Sequence, residues 1–266
     1  MKVVVVQAAA AAVDVTKFIT ASESSSQAKK TAILLKSLTV NALITGEVGV
    51  GKRTLASFIL PDALVVDASN FDELLLVLEN TQNIIITNLD NSPNIERLMQ
   101  IIKENSVRVV ATAKASFSHK FIDDFFSIKF NLPPLRERPE DVEELLQQFI
   151  SNAKELFGGS NTFDVSNFKP NLSQNAFSLK RQVMINYLLQ DVQDSDIMEI
   201  FEQYLYDKIG SGSDYRNFLY IYEVPLIRAG LDKFKSQVQV ADKLGLNRNT
   251  LRKKISEHKQ YIGKNI

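Results

Sequence analysis

The sequence has no cysteine and no tryptophan, and only two of its 266 residues are histidines. The absence of cysteine excludes disulfide bonds, thiol catalysis and cysteine-ligated zinc, and it fits a reducing cytoplasm. The two histidines, His119 and His258, are too few for a histidine-based metal cluster. The composition therefore predicts a cytoplasmic protein without a metal centre built from cysteine or histidine.

The sequence also lacks an apolar run long enough to cross a membrane, which takes about 20 residues. Its first 13 residues, "MKVVVVQAAAAAV", are similar to the start of a signal peptide, but only a single lysine, Lys2, stands in front of their apolar part. We interpret this segment as an edge strand or an ordered tail, and the sequence leaves its role open. We expect no contact with a membrane.

The whole chain has no excess of either charge, since 31 basic and 31 acidic residues balance each other. Along the chain, however, the charges are distributed unevenly. Residues 233–266 contain nine lysines and arginines and two acidic residues, a net charge of +7, so the remainder carries −7. A basic end on an acidic body is typical of a nucleic-acid-binding module.

The basic end has the pattern of a helix-turn-helix. Gln237 to Leu244 forms a short amphipathic pattern, and Gly245 permits the positive φ of a tight turn between helices. Asn247 is a favourable N-cap for the second helix. At about 100° per residue, Leu251 and Ile255 lie on one face of that helix, and polar and basic side chains lie on the other.

An outer face of this kind suits contact with DNA phosphates and base edges. The alternative is a solvated basic helix that follows a structural turn. The turn, the cap and the apolar spacing together favour duplex DNA as the partner. The predicted DNA-binding residues are Asn247, Arg248, Asn249, Thr250, Arg252, Lys253 and Lys254.

A second motif lies between a predicted strand, Val40 to Thr45, and a predicted helix, Thr54 to Leu60. This is the context of a phosphate-binding loop, in which backbone N–H groups converge on phosphate oxygens and a lysine adds positive charge. We expect ATP or ADP as the ligand, with or without Mg²⁺. Arg53 stands where a hydroxyl residue usually binds Mg²⁺, and Thr54 comes one residue later. The predicted nucleotide-binding residues are Gly46, Glu47, Val48, Gly49, Val50, Gly51, Lys52, Arg53 and Thr54.

Strand and helix patterns alternate after this loop, which predicts an α/β fold with a parallel five-stranded sheet and the ligand loop after its first strand. Residues 139–208 are nearly all helical in pattern, and residues 210–213 have the composition of a flexible linker. We predict an α/β nucleotide-binding subdomain at 1–138, a helical lid at 139–209 and a small all-α DNA-binding domain at 214–266. The further predicted strands are Ala63–Asp67, Asn83–Asn88, Val107–Thr112 and Ser127–Leu132, and the further predicted helices are Phe71–Glu79, Pro93–Glu104 and Pro139–Leu156.

The segment "GLNRNTLRKKI" resembles the recognition segment of Fis and of the Fis-type domains that end sigma-54-dependent activators. The preceding "YEVPLIRAGLDKF" resembles the helix that pairs two such modules. The resemblance implies a dimeric or higher-oligomeric helix-turn-helix protein. It also implies DNA contacts at positions that match Asn247, Arg248, Thr250, Arg252 and Lys253.

The resemblance extends to the rest of the chain. "LITGEVGVGKRTLA" is similar to the Walker A segment of AAA+ ATPases of the sigma-54 activator (NtrC-like) family. "LPPLRERPEDVEELLQQF" resembles that family's connection between sheet and lid, and "NAFSLKRQV" resembles its sensor II segment. The resemblance implies an AAA+ P-loop sheet with a helical lid in front of the Fis-type domain.

The sequence departs from the family where the family's hydrolytic acids lie. The Walker B motif ends a strand with Asp-Glu, one acid for Mg²⁺ and one to polarise water, whereas Thr87 and Asn88 occupy the matching positions here. Asp90 lies three residues after Thr87 and is predicted to cap the next helix. Phosphoryl transfer depends on such groups, so we expect turnover to be lower by many orders of magnitude.

Other family features are also missing. Lys114 matches the sensor I asparagine, and Phe177 matches the sensor II arginine, although Lys180 and Arg181 are close in sequence. The segment that precedes "LPPLRER" contains no arginine finger. Only 34 residues separate Lys52 from the Walker B position, too few for the loop that contacts sigma-54, and no receiver domain is expected before residue 26.

The sequence therefore predicts a bacterial DNA-binding transcriptional regulator. Its AAA+ domain is expected to bind nucleotide without efficient hydrolysis, with no catalytic residue and no metal site of its own, and to form mixed assemblies with an active AAA+ relative. One alternative is an active AAA+ ATPase that acts on DNA or on a nucleoprotein complex. The other is a nucleotide-independent architectural DNA-binding protein.

Overall fold

The structure is a computed structural model that describes residues 18–158, 163–166, 168–190 and 192–262. The apolar start of the chain, for which we predicted an edge strand or an ordered tail, lies outside these residues. The chain divides into two compact units, Met1–Asp191 and Val192–Ile266. Each unit has its own core.

The first unit is built on a five-stranded sheet in which all paired strands are parallel, in the order β2-β3-β4-β1-β5. The carboxyl ends of the strands therefore meet at one edge, and the loops after them form a common site. This confirms the predicted α/β class and the position of the ligand loop after the first strand. The strands are β1 (Ala42–Gly46), β2 (Leu64–Asp67), β3 (Asn83–Thr87), β4 (Arg108–Ala113) and β5 (Ile128–Leu132).

The sheet is buried on both faces because its central strands are apolar throughout. In β3, Ile84 and Ile86 pack into one core and Ile85 packs into another, as the period of two along a strand requires. Helices cover both faces and supply the other halves of these cores. This arrangement explains why the central strands read as continuous apolar runs.

Seven helices belong to the described part of the first unit. The first follows an N-cap in which the Ser22 hydroxyl accepts a hydrogen bond from the Ser25 amide, and the sequence patterns did not predict it. The helices are α1 (Glu23–Ser37), α2 (Lys52–Ile59), α3 (Phe71–Leu78), α4 (Ile95–Glu104), α5 (Ile122–Phe125), α6 (Pro139–Phe157) and α7 (Ala176–Leu188).

Helices α6 and α7 form the lid and share a core of their own, which contains Val142, Phe149, Leu179 and Val183. The predicted continuous helical region is interrupted here, because the described residues between Phe157 and Ala176 are not helical. The start of α7 lies beside the loop between β1 and α2, where the Ala176 amide donates to the carbonyl oxygen of Gly49 at 3.1 Å.

The second unit is entirely helical in its regular structure. Its core joins three consecutive helices through Val224, Ile227, Val240, Ala241 and Leu251. The helices are α8 (Asp194–Tyr206), α9 (Asp214–Phe218), α10 (Tyr220–Phe234), α11 (Gln237–Lys243), α12 (Arg248–Glu257) and α13 (Lys259–Ile262).

The boundaries predicted near residues 138 and 209–214 remain predictions. Helix α8, which we predicted as part of the lid, belongs by its contacts to the second unit, although it has no buried side chain. Among the described residues, no helix combines the length and the apolar character that a membrane span needs.

Candidate functional sites

The loop between β1 and α2 has a backbone that only glycine can adopt at its critical points. Gly46 has φ of 148°, and a Cβ atom there would lie 2.6 Å from the carbonyl oxygen of Leu132. Gly49 has φ of 79°, and its Cβ would lie 2.3 Å from the carbonyl oxygen of Gln174. Side chains at either position would force neighbouring strands or the lid away from the loop. The geometry therefore requires glycine at these two positions, and their contact with a phosphate remains a prediction.

Lys52 begins α2 and turns back over the loop. Its Nζ atom donates hydrogen bonds to the carbonyl oxygens of Gly46 and Glu47, each 2.7 Å away. Burial lowers the pKa of Lys52, and the nearby carboxylates of Asp90 and Glu47 partly oppose that shift. The ammonium group is thus held inside the loop, where a bound phosphate would take over its hydrogen bonds.

The loop is fastened to the lid through Glu47 and Asn175. Arg136 donates two hydrogen bonds to the Glu47 carboxylate, at 2.8 and 3.0 Å. Hydrogen bonding to Arg136, and then to Asn175, lowers the pKa of Glu47. The Nδ2 atom of Asn175 donates to Glu47 and to the carbonyl oxygen of Val48, and its Oδ1 atom accepts from the amide of Leu135. The buried side chain of Asn175, at the start of α7, therefore joins the loop after β1 to the segment after β5.

A buried ion pair between Arg138 and Asp141 contacts the loop. The guanidinium of Arg138 lies 3.2 Å from the carboxylate of Asp141 and donates to the carbonyl oxygen of Val50 at 3.0 Å. Desolvation lowers the pKa of Arg138, while Asp141 opposes this effect. The same carboxylate accepts hydrogen bonds from Ser22 and Ser25. The entry to α1 is thereby tied to the lid and to the loop.

These elements surround a cavity of about 620 Å³, a size that suits a small ligand. Seven of the nine predicted nucleotide-binding residues line it, and Gly46 and Glu47 do not. Its apolar wall comes from α6 and from the segment before α1, and its polar wall from the loop and the strand ends. The apolar lining residues include Phe18, Ile19, Leu145 and Phe149.

The end of β3 faces this cavity together with an acid from the neighbouring strand β2. Thr87 ends β3, Asn88 follows it directly, and Asp67 ends the neighbouring β2. The Asn88 side chain donates to Asp67 at 2.6 Å, and the Thr87 hydroxyl donates to the same oxygen at 3.3 Å. Sequence reasoning missed Asp67, although its position at a strand end beside β3 was a usable signal.

Asp90 does not cap the following helix, so that prediction was wrong. Its carboxylate binds Lys114 instead, through the ammonium group at 3.0 Å and the backbone amide at 3.1 Å. Asn94 caps α4 by accepting a hydrogen bond from the Arg97 amide at 2.9 Å. Asn94 directly precedes α4, so its side chain can return to the first turn, whereas Asp90 lies too far from the helix start.

At the sensor II position, the Phe177 side chain is exposed and lines the cavity together with Lys180. Arg181 is exposed and does not line the cavity. The structure thus brings one of the two nearby basic residues to the site.

In the second unit, α11, the turn and α12 have the predicted helix-turn-helix geometry. Gly245 has φ of 64°, and the Asn247 side chain caps α12 by accepting a hydrogen bond from the Asn249 amide at 2.8 Å. Leu251 is buried, and Ile255 packs against the same core. The predicted apolar face of α12 is therefore confirmed.

The opposite face of α12 is exposed at six of the seven predicted DNA-binding positions. Lys254 is the exception: its side chain is only 25% exposed and forms an ion pair with Glu223 of α10. His258 lies 3.3 Å from the same carboxylate. Lys254 therefore links α12 to α10, and its contact with DNA remains a prediction.

Comparison with known families agrees with this architecture. Residues 221–258 match the family described as "Bacterial regulatory protein, Fis family". The match contains α11, the turn and α12, together with most of α10. The C-terminal helix-turn-helix is thus of the Fis type.

Two curated relatives extend the similarity towards the N-terminus. The chain is 28% identical over 197 residues to a limonene hydroxylase of Geobacillus stearothermophilus, which covers 70% of this chain and 35% of that protein. It is 27% identical over 202 residues to the DNA-binding transcriptional regulator NtrC of Rhizobium meliloti, which covers 58% of this chain and 42% of that protein. The chain thus spans well under half of either relative.

Solved structures of NtrX from Brucella abortus have a similar fold. The complex with ADP gives a TM-score of 0.57 at 15% identity and covers 89% of this chain and 67% of NtrX. The complex with ATP gives 0.53 at 15% identity and covers 91% and 69%. The similarity confirms the expected fold class, an AAA+ parallel sheet with a Fis-type helix-turn-helix after it.

Proposed function

We propose that this chain, in which an AAA+ fold precedes a Fis-type helix-turn-helix, is a bacterial DNA-binding transcriptional regulator. The observation that carries the proposal is the exposed polar and basic face of α12, which lies opposite an apolar face buried in the module core. Such a helix can enter a major groove without disturbing its own packing. The Fis-family match and the similarity to NtrC support the same function.

We propose that the first unit binds ATP or ADP. The glycine-supported loop, Lys52 at the start of α2 and a cavity of nucleotide size support this part of the proposal. NtrX, which has a similar fold, has been solved with ATP and with ADP. The apolar wall, which includes Phe18 and Phe149, offers a surface for a base ring.

We propose further that the bound nucleotide is hydrolysed slowly or not at all. The hydroxyl of Thr87 and the amide of Asn88 replace the two acids expected at the end of β3, and an amide does not activate water as a carboxylate does. The stretch 121–131 offers no arginine to stabilise a transferring phosphoryl group. The alternative, an active ATPase that acts on DNA, is distinguished by its rate of phosphate release.

We also propose that the protein works as a homodimer or higher oligomer in the cytoplasm and forms mixed assemblies with an active AAA+ relative. The short connection between Lys52 and β3 lacks a loop for sigma-54, so regulation would act through occupancy of DNA sites. A third possibility, an architectural protein that ignores nucleotide, predicts DNA affinity that is unchanged by ATP or ADP.

The test is duplex DNA binding by the full chain, measured by fluorescence anisotropy over a range of salt concentrations. The double variant Arg252→Ala/Lys253→Ala is expected to weaken binding at least tenfold, about 1.4 kcal/mol. It is also expected to reduce the salt dependence, because phosphate contacts each contribute a log–log slope of about −0.9. Both side chains are exposed and point away from the core, so folding should be unaffected.

The matched control is Arg97→Ala/Lys103→Ala, which removes the same charge from exposed positions of α4 in the other unit. It is expected to bind DNA as the wild type does. Equal weakening by both double variants would mean that net charge alone attracts DNA. Unchanged binding by Arg252→Ala/Lys253→Ala would reject α12 as the DNA-binding helix.

A further inference from the structure

A carboxylate stands one strand away from the place where the hydrolytic acids are missing. Strands β2 and β3 pair in parallel, with Asp67 opposite Thr87 in the register. Neighbouring strands are about 4.8 Å apart, so a side chain at the end of β2 can reach the space that a β3 side chain would fill. Asp67, Thr87 and Asn88 all line the cavity that contains the phosphate-binding loop.

The Asp67 carboxylate is held in position by four hydrogen bonds. Its Oδ1 atom accepts from the amide and hydroxyl of Ser69, at 3.0 and 2.7 Å. Its Oδ2 atom accepts from Asn88 at 2.6 Å and from Thr87 at 3.3 Å. These donors are neutral, so they orient the carboxylate without cancelling its charge.

The side chain of Asp67 is partly buried. Burial raises the pKa of this carboxyl, but the hydrogen bonds from Ser69, Asn88 and Thr87 together outweigh burial and place the pKa below its usual range. The two residues that replaced the acids of β3 therefore now stabilise a carboxylate on β2.

The Asp67 carboxylate has the same sign of charge as the phosphates of a nucleotide bound to the loop. Two groups of the same charge in one partly buried cavity repel each other, and a divalent cation between them turns the repulsion into attraction. Mg²⁺ is suited to this place because it commonly binds one or two carboxylates, substrate phosphates and several waters. The hydroxyls of Thr87 and Thr54 line the same cavity as additional oxygen groups.

The protein groups alone do not form a complete metal site. Within the described ranges, no cluster of three or more histidine, cysteine, aspartate or glutamate side chains is arranged to bind a metal ion. Mg²⁺ would therefore arrive with the nucleotide, whose phosphate oxygens complete its coordination. This donor set fits Mg²⁺ bound to a nucleoside di- or triphosphate.

We infer that Asp67 supplies the carboxylate for a Mg²⁺–nucleotide complex, in place of the acid missing from β3, and that Thr87 and Asn88 position it. The inference rests on the proposed binding of ATP or ADP. It separates metal binding from hydrolysis, because the acid that would polarise water and the arginine finger remain without replacement. The site would then hold a Mg²⁺–nucleotide complex without turning it over.

The test is calorimetric titration of the full chain with ADP and with ATP, each with excess Mg²⁺ or with EDTA. In the wild type, Mg²⁺ is expected to raise nucleotide affinity at least tenfold. Asp67→Asn keeps the size of the side chain and removes its charge. It is expected to reduce the effect of Mg²⁺ to less than twofold, and to bind metal-free nucleotide several times more tightly than the wild type does.

Two further variants separate this role from a purely structural one. Asp90→Asn removes a carboxylate that also lies near Lys52 but is engaged by Lys114, and it is expected to keep the full Mg²⁺ effect. The exchange Asp67→Asn/Asn88→Asp moves the carboxylate to the other side chain of the hydrogen-bonded pair, directly after β3, and keeps an acid–amide pair. It is expected to restore the Mg²⁺ effect that the single variant loses.

A direct spectroscopic measurement does not depend on the variants. Mn²⁺ replaces Mg²⁺, and the electron paramagnetic resonance spectrum of wild-type protein with ADP is expected to show Mn²⁺ immobilised only when nucleotide is present. Free Mn²⁺ in that spectrum, although nucleotide binds, would overturn the inference.

Failure of the inference and failure of the proposed function are distinguishable. Nucleotide binding with an equal Mg²⁺ effect in the wild type and Asp67→Asn would reject Asp67 as the metal ligand and leave the nucleotide site intact. No binding of ADP or ATP by the wild type, with or without Mg²⁺, would reject the nucleotide site and the inference together.

Discussion

At the scale of single residues, Lys52 places a positive charge within the loop. It is half-buried, and its hydrogen bonds run to two loop carbonyl oxygens. We expect Lys52→Ala to lower ATP and ADP affinity at least 30-fold, about 2 kcal/mol, because a phosphate would lose a charge-assisted donor. Isothermal titration calorimetry measures this, and Lys103→Ala on the exposed face of α4 serves as control. Equal affinity in Lys52→Ala and the wild type would exclude a phosphate-binding role for the loop.

The residues that the sequence identified are those whose role depends on local backbone chemistry. Gly49 is required by its φ, and Asn247 is recognisable as a cap from its place before a helix. Asp67 and Asn175 were missed because their roles depend on partners far away in sequence. Asn175 binds groups more than 120 positions before it, and no local pattern encodes such a contact.

Among the helices, α12 keeps its position relative to α10 through Glu223. Burial raises the pKa of Glu223, but hydrogen bonds from Lys254 and His258 outweigh it, so the pKa lies below the usual range. A carboxyl with a lowered folded-state pKa stabilises the fold above its unfolded pKa, about 4.3, and this contribution is lost as the pH falls through the folded value.

We therefore expect Glu223→Gln to destabilise the second unit by roughly 1–2 kcal/mol at pH 7, as loss of charge-assisted hydrogen bonds does. The difference from the wild type should shrink as the pH falls below about 4, because the wild-type carboxyl is then protonated too. Thermal unfolding followed by circular dichroism at several pH values measures it. Glu257→Gln, an exposed carboxylate on α12, is the control. A difference that stays constant between pH 7 and pH 3 would contradict the ion pair.

The sequence predicted the strands well because each is a short apolar run between polar turns. The predicted and observed bounds of β2 to β5 differ by one residue at most at each end. The prediction failed for α1, which is rich in serine and lysine and is stabilised by burial of small side chains such as Ala28 and Ala32. It also failed for the lid, which we predicted as nearly continuous helix. The spacing of apolar residues does not show where tertiary contacts favour a non-helical segment between α6 and α7.

For the molecule as a whole, the positive charge is concentrated at the C-terminal end of the second unit. The basic residues concentrate after residue 233, and the rest of the chain is acidic. The acidic remainder of the chain repels DNA, so the phosphate contacts should be confined to the basic end. The distribution therefore favours binding of DNA by one end of the chain.

We expect steady-state ATP hydrolysis by the full chain to be undetectable, because neither a water-polarising acid nor an arginine finger completes the site. Phosphate release at about 1 s⁻¹, the low end of ordinary enzyme turnover, would instead support an active ATPase. Thr87→Asp/Asn88→Glu restores both acids at the end of β3 and should raise the rate above background if the strand assignment holds. Arg97→Ala/Lys103→Ala, remote from the cavity, should not change it.

The wall of the cavity has a practical consequence for spectroscopy. The Phe18 ring lies against Gly51 of the loop, where a Cβ atom would approach it to 3.1 Å, and the sequence contains no tryptophan. Phe18→Trp would therefore give this chain a single indole fluorophore that borders the proposed ligand. Its emission would come from the first unit alone, so quenching by a nucleotide could be followed in the presence of DNA without interference from the second unit.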